Sequence, residues 1–190
     1  MELKKHIIWL VVLLNIITVN GSFAQSGVKY PYVEERKIIV NRDVQGGVKE
    51  SMLHRKWDSS NPMPAHDEQS AANAVSAKFE VATTDCNSNN APGVTVLAGN
   101  KYTYANAANV CVAYSQDDIL ARSWRLPTQR ELMLICIFKD ELGDFTSRNY
   151  YWSATISKGT NYTWIVGFNN GNTDHASRDN AYTVRCVRDL

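Results

Sequence analysis

The spacing of hydrophobic and polar positions changes character several times along the chain. Ile7 to Val19 is apolar except for Asn15 and Thr18, follows Lys4 and Lys5, and leads to Ser22-Phe23-Ala24. A basic start, an apolar middle and small residues before a cut are the layout of a secretory signal peptide, expected over residues 1–24. The apolar run falls short of the roughly 20 residues that span a bilayer. Residues 25–75 hold no sustained period. Tyr30-Pro31-Tyr32 reads as extended and Lys37-Ile38-Ile39-Val40 as a strand. Gly46-Gly47 marks a turn, from which Val48 to Trp57 offers a return, and the polar stretch Ser59 to Ala74, with Pro62 and Pro64, reads as a linker. An N-terminal arm or hairpin plus linker is expected there.

From residue 76 to 190 the pattern is regular enough to predict one domain. Ala77 to Ala82 alternates with period two, as a half-buried strand does. Asp85 to Gly93 is loop-forming, and Asn100 to Tyr104 reads as a strand or turn. Over Ala105 to Tyr114, Ala107, Ala108, Cys111 and Tyr114 recur at helical spacing. A second helix starts at Thr128, where Glu131 three residues on completes a capping-box pattern. Leu132, Ile135, Cys136 and Phe138 form its apolar stripe, and Gly143 ends it. Period two returns in Tyr151–Ala154, Tyr162–Phe168 and Ala181–Arg188, with Asn169-Asn170-Gly171-Asn172 as a turn between strands. The order predicts an α+β domain with two helices and an antiparallel sheet, preceded by a β-rich or extended N-terminal arm.

Charge narrows the partners. The chain of 190 residues carries 20 basic and 19 acidic side chains, and 18 of each remain beyond residue 24. Such a balance exerts no general pull on phosphate backbones, so nucleic acid is not an expected partner. The four cysteines, Cys86, Cys111, Cys136 and Cys186, are even in number, which in an exported chain favours disulfides. No pair is spaced as C-x-x-C, and four cysteines allow three pairings.

Catalytic signatures are missing. There is no Gly-x-Ser-x-Gly elbow and no phosphate loop. Glu131 is explained as a helix cap rather than a general base. His66-Asp67-Glu68 reads as a solvated loop, and His175 beside Asp174 as an exposed turn residue. Neither a cofactor nor a metal is expected. Among Arg125, Arg185 and Arg188, a structural pairing with a carboxylate such as Glu131 is preferred over ligand binding.

Four runs in order carry a family likeness: Trp124-Arg125-Leu126-Pro127-Thr128 with Glu131-Leu132, then Tyr150-Tyr151-Trp152-Ser153-Ala154-Thr155, then an aromatic strand ending in Asn169-Asn170-Gly171-Asn172, then Val184-Arg185-Cys186-Val187-Arg188-Asp189. Over roughly residues 100–190 the chain resembles the Lcl C-terminal domain family, a bacterial extracellular group. The resemblance implies a C-type-lectin-like fold in which a disulfide ties the first helix to the last strand. Cys111 and Cys186 match that bridge, leaving Cys86 and Cys136 as the remaining pair. Calcium-binding lectins of this fold use a Glu-Pro-Asn or Gln-Pro-Asp loop and a Trp-Asn-Asp run, and this sequence has neither. The same broad fold hosts the enzyme that oxidises a sulfatase cysteine to formylglycine with a reactive cysteine pair, for which only Cys86 and Cys136 would be left.

Aromatic and amide side chains near one end of the late sheet are the expected ligand contacts: Tyr162, Trp164, Asn169, Asn170, Asn172, Asp174 and Arg178. Aromatic faces stack on sugar rings, and amides and carboxylates bond hydroxyls. The expected function is an exported, non-enzymatic binding or adhesion module of the cell envelope, in the periplasm, at the surface or outside the cell. Its partner would be a glycan or a protein, with a surface or fimbrial assembly as context. The alternatives are a formylglycine-generating oxidase and a purely structural assembly subunit.

Overall fold

A computed structural model describes residues 31–40, 73–116, 119, 122–145, 149–157 and 161–190. The expected signal segment at 1–24, the return strand at 48–57 and nearly all of the polar linker lie outside them. The described chain is α+β. In order it forms β1 (Tyr32–Glu34), β2 (Lys37–Ile39), β3 (Lys78–Val81), β4 (Tyr102–Thr103), α1 (Tyr104–Ala113), α2 (Gln129–Ile137), α3 (Lys139–Leu142), β5 (Tyr150–Ile156), β6 (Tyr162–Gly167), β7 (Thr173–Ser177), β8 (Ala181–Tyr182) and β9 (Val187–Asp189). The strands make sheets of order β1-β2-β3-β9, β4-β8 and β5-β6-β7, and every strand pair is antiparallel.

The hairpin of the N-terminal arm is β1–β2, and its strand before Lys37 comes from the Tyr30-Pro31-Tyr32 side. Its two turn residues, Glu35 and Arg36, both have positive φ, 46° and 65°. Such a turn matches the twist of the flanking strands but strains residues with a Cβ. Arg36 offsets the strain by donating to the carbonyl oxygens of Leu142 and Ala82, which pins the hairpin to the body. Ile38 pairs with Phe79 in β3, and both are fully buried.

Period-two alternation sorts β5 between two cores. Tyr151 joins Phe79, Val81, Leu132, Ile135, Val166 and Phe168. Trp152, Ala154 and Ile156 enter the other cluster, with Tyr102, Tyr104, Val110, Trp124 and Val184. A strand covered on both faces reads as continuously apolar, which is why Tyr150-Tyr151-Trp152-Ser153-Ala154 is so poor in charge. The indole N–H of Trp152 donates to the Tyr102 carbonyl at 2.7 Å, satisfying its one polar group inside the core.

The capping box is formed: Thr128 Oγ1 accepts from the Glu131 N–H and the Glu131 carboxylate from the Thr128 N–H. The expected single helix from Thr128 to Leu142 instead breaks at Phe138, whose backbone (φ −95°, ψ 14°) leaves the helical range. Gly143 then ends α3 at φ 70°, a conformation glycine adopts without cost. The expected strand Ala181–Arg188 also divides. β8 pairs with β4 and β9 with β3, while the segment between gives its carbonyls to a neighbouring loop: Val184 accepts from the Cys86 N–H and Cys186 from the Ala82 N–H, each at 2.9 Å. No helix among the described residues is long and apolar enough to cross a membrane.

Candidate functional site

The three arginines of the family motifs are occupied inside the fold. Arg125 forks onto Glu131 at 2.7 and 2.9 Å and reaches Asp189 at 2.6 and 3.0 Å. Burial lowers its guanidinium pKa, but Glu131 and Asp189 together more than restore it, so the net direction is upward. Arg185 pairs with Asp85 at 2.7 Å, donates to the carbonyls of Ala82, Thr83 and Asp144, and lies 4.1 Å from the centre of the Phe145 ring. Arg188 pairs with Glu80 and lies 5.6 Å from the Trp124 ring. These contacts join segments far apart in sequence, so the groups best suited to hold a charged ligand serve the fold.

The cysteines divide into one bridge and two thiols. Cys111 in α1 is bonded to Cys186, with Cα atoms 5.6 Å apart, as the resemblance implied. The expected second pair is not formed: Cys86 and Cys136 are free. The reason is placement. Cys86 packs in the cluster around Trp152, and Cys136 in the one around Tyr151. Burial pushes both thiols up, with Asp85 adding to the effect at Cys86 and Lys139 opposing it at Cys136.

The seven candidate binding residues fall at three places on the β6–β7 hairpin. Register decides this. Tyr162 stands opposite Ser177, Trp164 opposite His175 and Val166 opposite Thr173, so these share one face. Tyr162 and Trp164 therefore lie together, and His175 completes a row between them, its ring 5.5 Å from Tyr162 and 6.0 Å from Trp164, edge-on to both. Tyr162 is 44% exposed, and the His175 side chain is open to solvent. Trp164 is half-buried, and its indole N–H is enclosed without a hydrogen-bond partner.

Arg178 belongs to the other face. It donates to Thr163 Oγ1 at 3.1 Å and sits 4.9 Å above the Tyr104 ring, against α1. Asp174, opposite Ile165, is exposed and accepts the His175 N–H at 2.7 Å. Asn169, Asn170 and Asn172 form the turn at the far end. Seven residues of extended strand, roughly 23 Å, separate that turn from Tyr162. There Asn172 Nδ2 donates to the Tyr150 hydroxyl at 3.3 Å. A cleft of about 260 Å³ lined by Lys139, Asp140, Gly143, Asp144 and Phe145 contains none of the seven.

The stretch beyond the Asn169-Asn170-Gly171-Asn172 turn, where no strand is expected before Ala181, holds one more: Thr173–Ser177 pairs along β6 as the edge of its sheet. His175, expected as an exposed turn residue and not among the seven contacts, is a strand residue of the row. The register of a hairpin centred on the Asn169-Asn170 turn would have placed it opposite Trp164. What the arrangement offers chemically is an aromatic platform of two rings with open faces or edges and one half-buried indole; Asp174 stands on the opposite face, its carboxylate reaching the strand edge 3.8 Å from His175 Nδ1. The family model described as the Lcl C-terminal domain matches residues 57–188, beginning well before the motifs that carry the likeness. No curated protein matches the chain.

Proposed function

The chain belongs to the Lcl C-terminal domain family, and on that premise we infer that it is an exported, non-enzymatic binding or adhesion module of the bacterial envelope. Its domain has the C-type-lectin-like fold, and its ligand is a glycan taken at the Tyr162–His175–Trp164 row. The observation that carries this reading is the row itself. Core aromatics of this chain are closed off by packing, whereas Tyr162 and His175 stand open at the edge hairpin. A flat aromatic ring suits a sugar, whose axial C–H bonds lie on the ring while a hydroxyl at the strand edge bonds the Asp174 carboxylate, 3.8 Å from His175 Nδ1.

The oxidase alternative needs two thiols that meet near the surface. Cys86 and Cys136 are buried in different clusters, which weighs against it. The structural-subunit alternative draws support from β7, an edge strand among the described residues, whose outer backbone groups can accept another strand.

A glycan array probed with the chain beyond residue 24, and with Tyr162→Ala/His175→Ala, tests the reading. Binding to a defined glycan class that the double variant loses, with its circular dichroism unchanged, is the expected result. A glycan signal that survives the double change would move the site. No glycan signal together with concentration-dependent assembly would favour strand addition at β7 instead.

A further inference from the structure

We propose that Cys86 is an exchange partner of the Cys111–Cys186 disulfide, so that the fold accommodates a second bridge, Cys86–Cys186. Three sulfur atoms meet at one buried point. Cys86 Sγ lies 3.3 Å from Cys186 Sγ, and the sulfurs of Cys86, Cys111 and Cys186 are all within 4.8 Å of one another. The backbone around Cys86 is already held against the strand that carries Cys186. The Cys86 N–H donates to Val184 O and the Ala82 N–H to Cys186 O, each at 2.9 Å. A bridge from Cys86 to Cys186 therefore asks for side-chain rotation rather than a new chain path.

The step conserves atoms and electrons. Cys86 gives up its proton, and the thiolate attacks Cys186 Sγ. The Sγ–Sγ bond of Cys86 and Cys186 forms as that of Cys186 and Cys111 breaks. The electron pair leaves on Cys111 Sγ, which takes up the proton. One disulfide and one thiol stand on each side, so neither oxidant nor reductant is consumed. The closed loops, with sequence separations of 75 and 100, differ little in closure entropy, because that term grows only with the logarithm of length.

The folded state holds the exchange back in two ways. Attack needs the incoming sulfur on the extension of the breaking bond, and a sulfur placed there would stand farther than 4.8 Å from Cys111. Cys86 instead lies to the side. The thiolate is also disfavoured: the site is apolar and closed, Asp85 stands next in sequence, and the opposing Arg185 is bonded to Asp85. The Tyr102 hydroxyl, buried and without a hydrogen-bond partner, couples electrostatically to the same thiol. Local opening of this corner is thus the gate. Once exchanged, the tie moves from α1 to the loop after β3. Helix α1 is then released, while the C-terminal segment stays anchored.

The full chain with Cys111→Ser, refolded in a glutathione redox buffer that supplies the oxidant, acid-quenched and mapped without reduction, tests the proposal. The expected product is a Cys86–Cys186 peptide in most folded molecules. Folded material in which Cys86 and Cys186 are both recovered as thiols or glutathione adducts would overturn it. If that variant does not fold, the wild-type chain in the same buffer at mildly alkaline pH decides. A growing Cys86–Cys186 peptide, matched by alkylation of Cys111, is expected. A Cys111–Cys186 bridge that persists alone, or pairings with Cys136 that appear as fast, would refute the exchange.

Discussion

Arg125 and Glu131 form a two-pronged ion pair in the interior, their side chains 4% and 0% exposed. The same carboxylate accepts the N–H of Ser76 at 3.0 Å and of Thr128 at 2.9 Å. Glu131 thus serves as helix cap, counter-ion and anchor for the segment before β3. Glu131→Ala would leave a guanidinium and two N–H groups without this acceptor. The expected loss is about 3–5 kcal/mol, the range for breaking one side of a buried pair. Asp189→Ala should cost clearly less, since Asp189 is 34% exposed and water can replace it. Urea unfolding of both variants measures the difference, and equal losses would contradict the assigned roles.

Thr128→Ala removes the acceptor for the Glu131 N–H and the hydroxyl that donates to Ala74 O at 3.0 Å. A lost cap of this kind costs typically about 1 kcal/mol and up to about 2, and the second bond places this site at the upper end. Thr128→Ser, which keeps the hydroxyl, should recover most of it. If serine and alanine unfold at the same denaturant midpoint, the hydroxyl is not what stabilises this end of α2.

Gly167 is required by close approach. A Cβ there would stand 2.5 Å from Asn172 Oδ1 and 3.0 Å from both Asn169 Oδ1 and a Tyr150 ring carbon. Gly167→Ala should therefore cost roughly 1–3 kcal/mol, as overpacking does, by pushing the asparagine turn outward. The change should be smaller in an Asn172→Gly background, where the nearest atom is gone. A double-mutant cycle by thermal or urea unfolding reads the coupling, and additive effects would mean the turn already yields.

Cys86 and Tyr102 hold their protons more tightly in the fold than in the open chain. Burial is the main cause for both. Asp85 adds to it at Cys86, and Cys86 adds to it at Tyr102, which is pushed up to about 12. With the folded values raised, their contribution is whole below the ordinary values of 9.0 and 10.0, and is lost at higher pH as the unfolded chain ionises first. Stability should thus fall from about pH 9 upward, the Tyr102 share fading up to about pH 12. Cys86→Ser should flatten the first part of that fall and Tyr102→Phe the later part. Midpoints followed from neutral to alkaline pH check this. A wild-type slope unchanged by either substitution would be the contrary result.

What could be read from the sequence depended on whether a residue's surroundings are local. The Thr128–Glu131 cap is written within four residues, and it formed as expected. The strand β6 was legible from alternation along Tyr162 to Val166, and β5 from an aromatic, uncharged run that two covered faces impose. β7 was not, because Thr173-Asp174-His175-Ala176-Ser177 is an edge strand with only Ala176 buried, and an exposed strand has no apolar alternation to betray it. The division of Ala181–Arg188 was hidden for another reason: Thr183 to Val187 is buried throughout, so the passage from one sheet to another leaves no polar mark. Among the candidate contacts, composition gathered Tyr162, Asn170 and Arg178 into one group. Pairing register then set them on different faces and ends of the hairpin. The fate of Cys86 needed three dimensions outright, since Cys186 is a hundred residues away.

The segment from Arg185 to Leu190 sets a timetable. Within Arg185 to Leu190 the chain places the partner of Asp85, the bridge to Cys111, the strand beside β3, the partners of Glu80 and Arg125, and an N–H that reaches the Lys78 carbonyl. Each of these joins the end of the chain to a segment made much earlier. A nascent chain lacking those residues can build its helices and the β5–β6–β7 sheet and can seat Glu131 on the Ser76 N–H, but it lacks the strand that closes the outer edge of β3. The decisive closure therefore waits until this segment has been made, and until then the free edge of β3 and the buried-to-be Arg125 stay open to other chains.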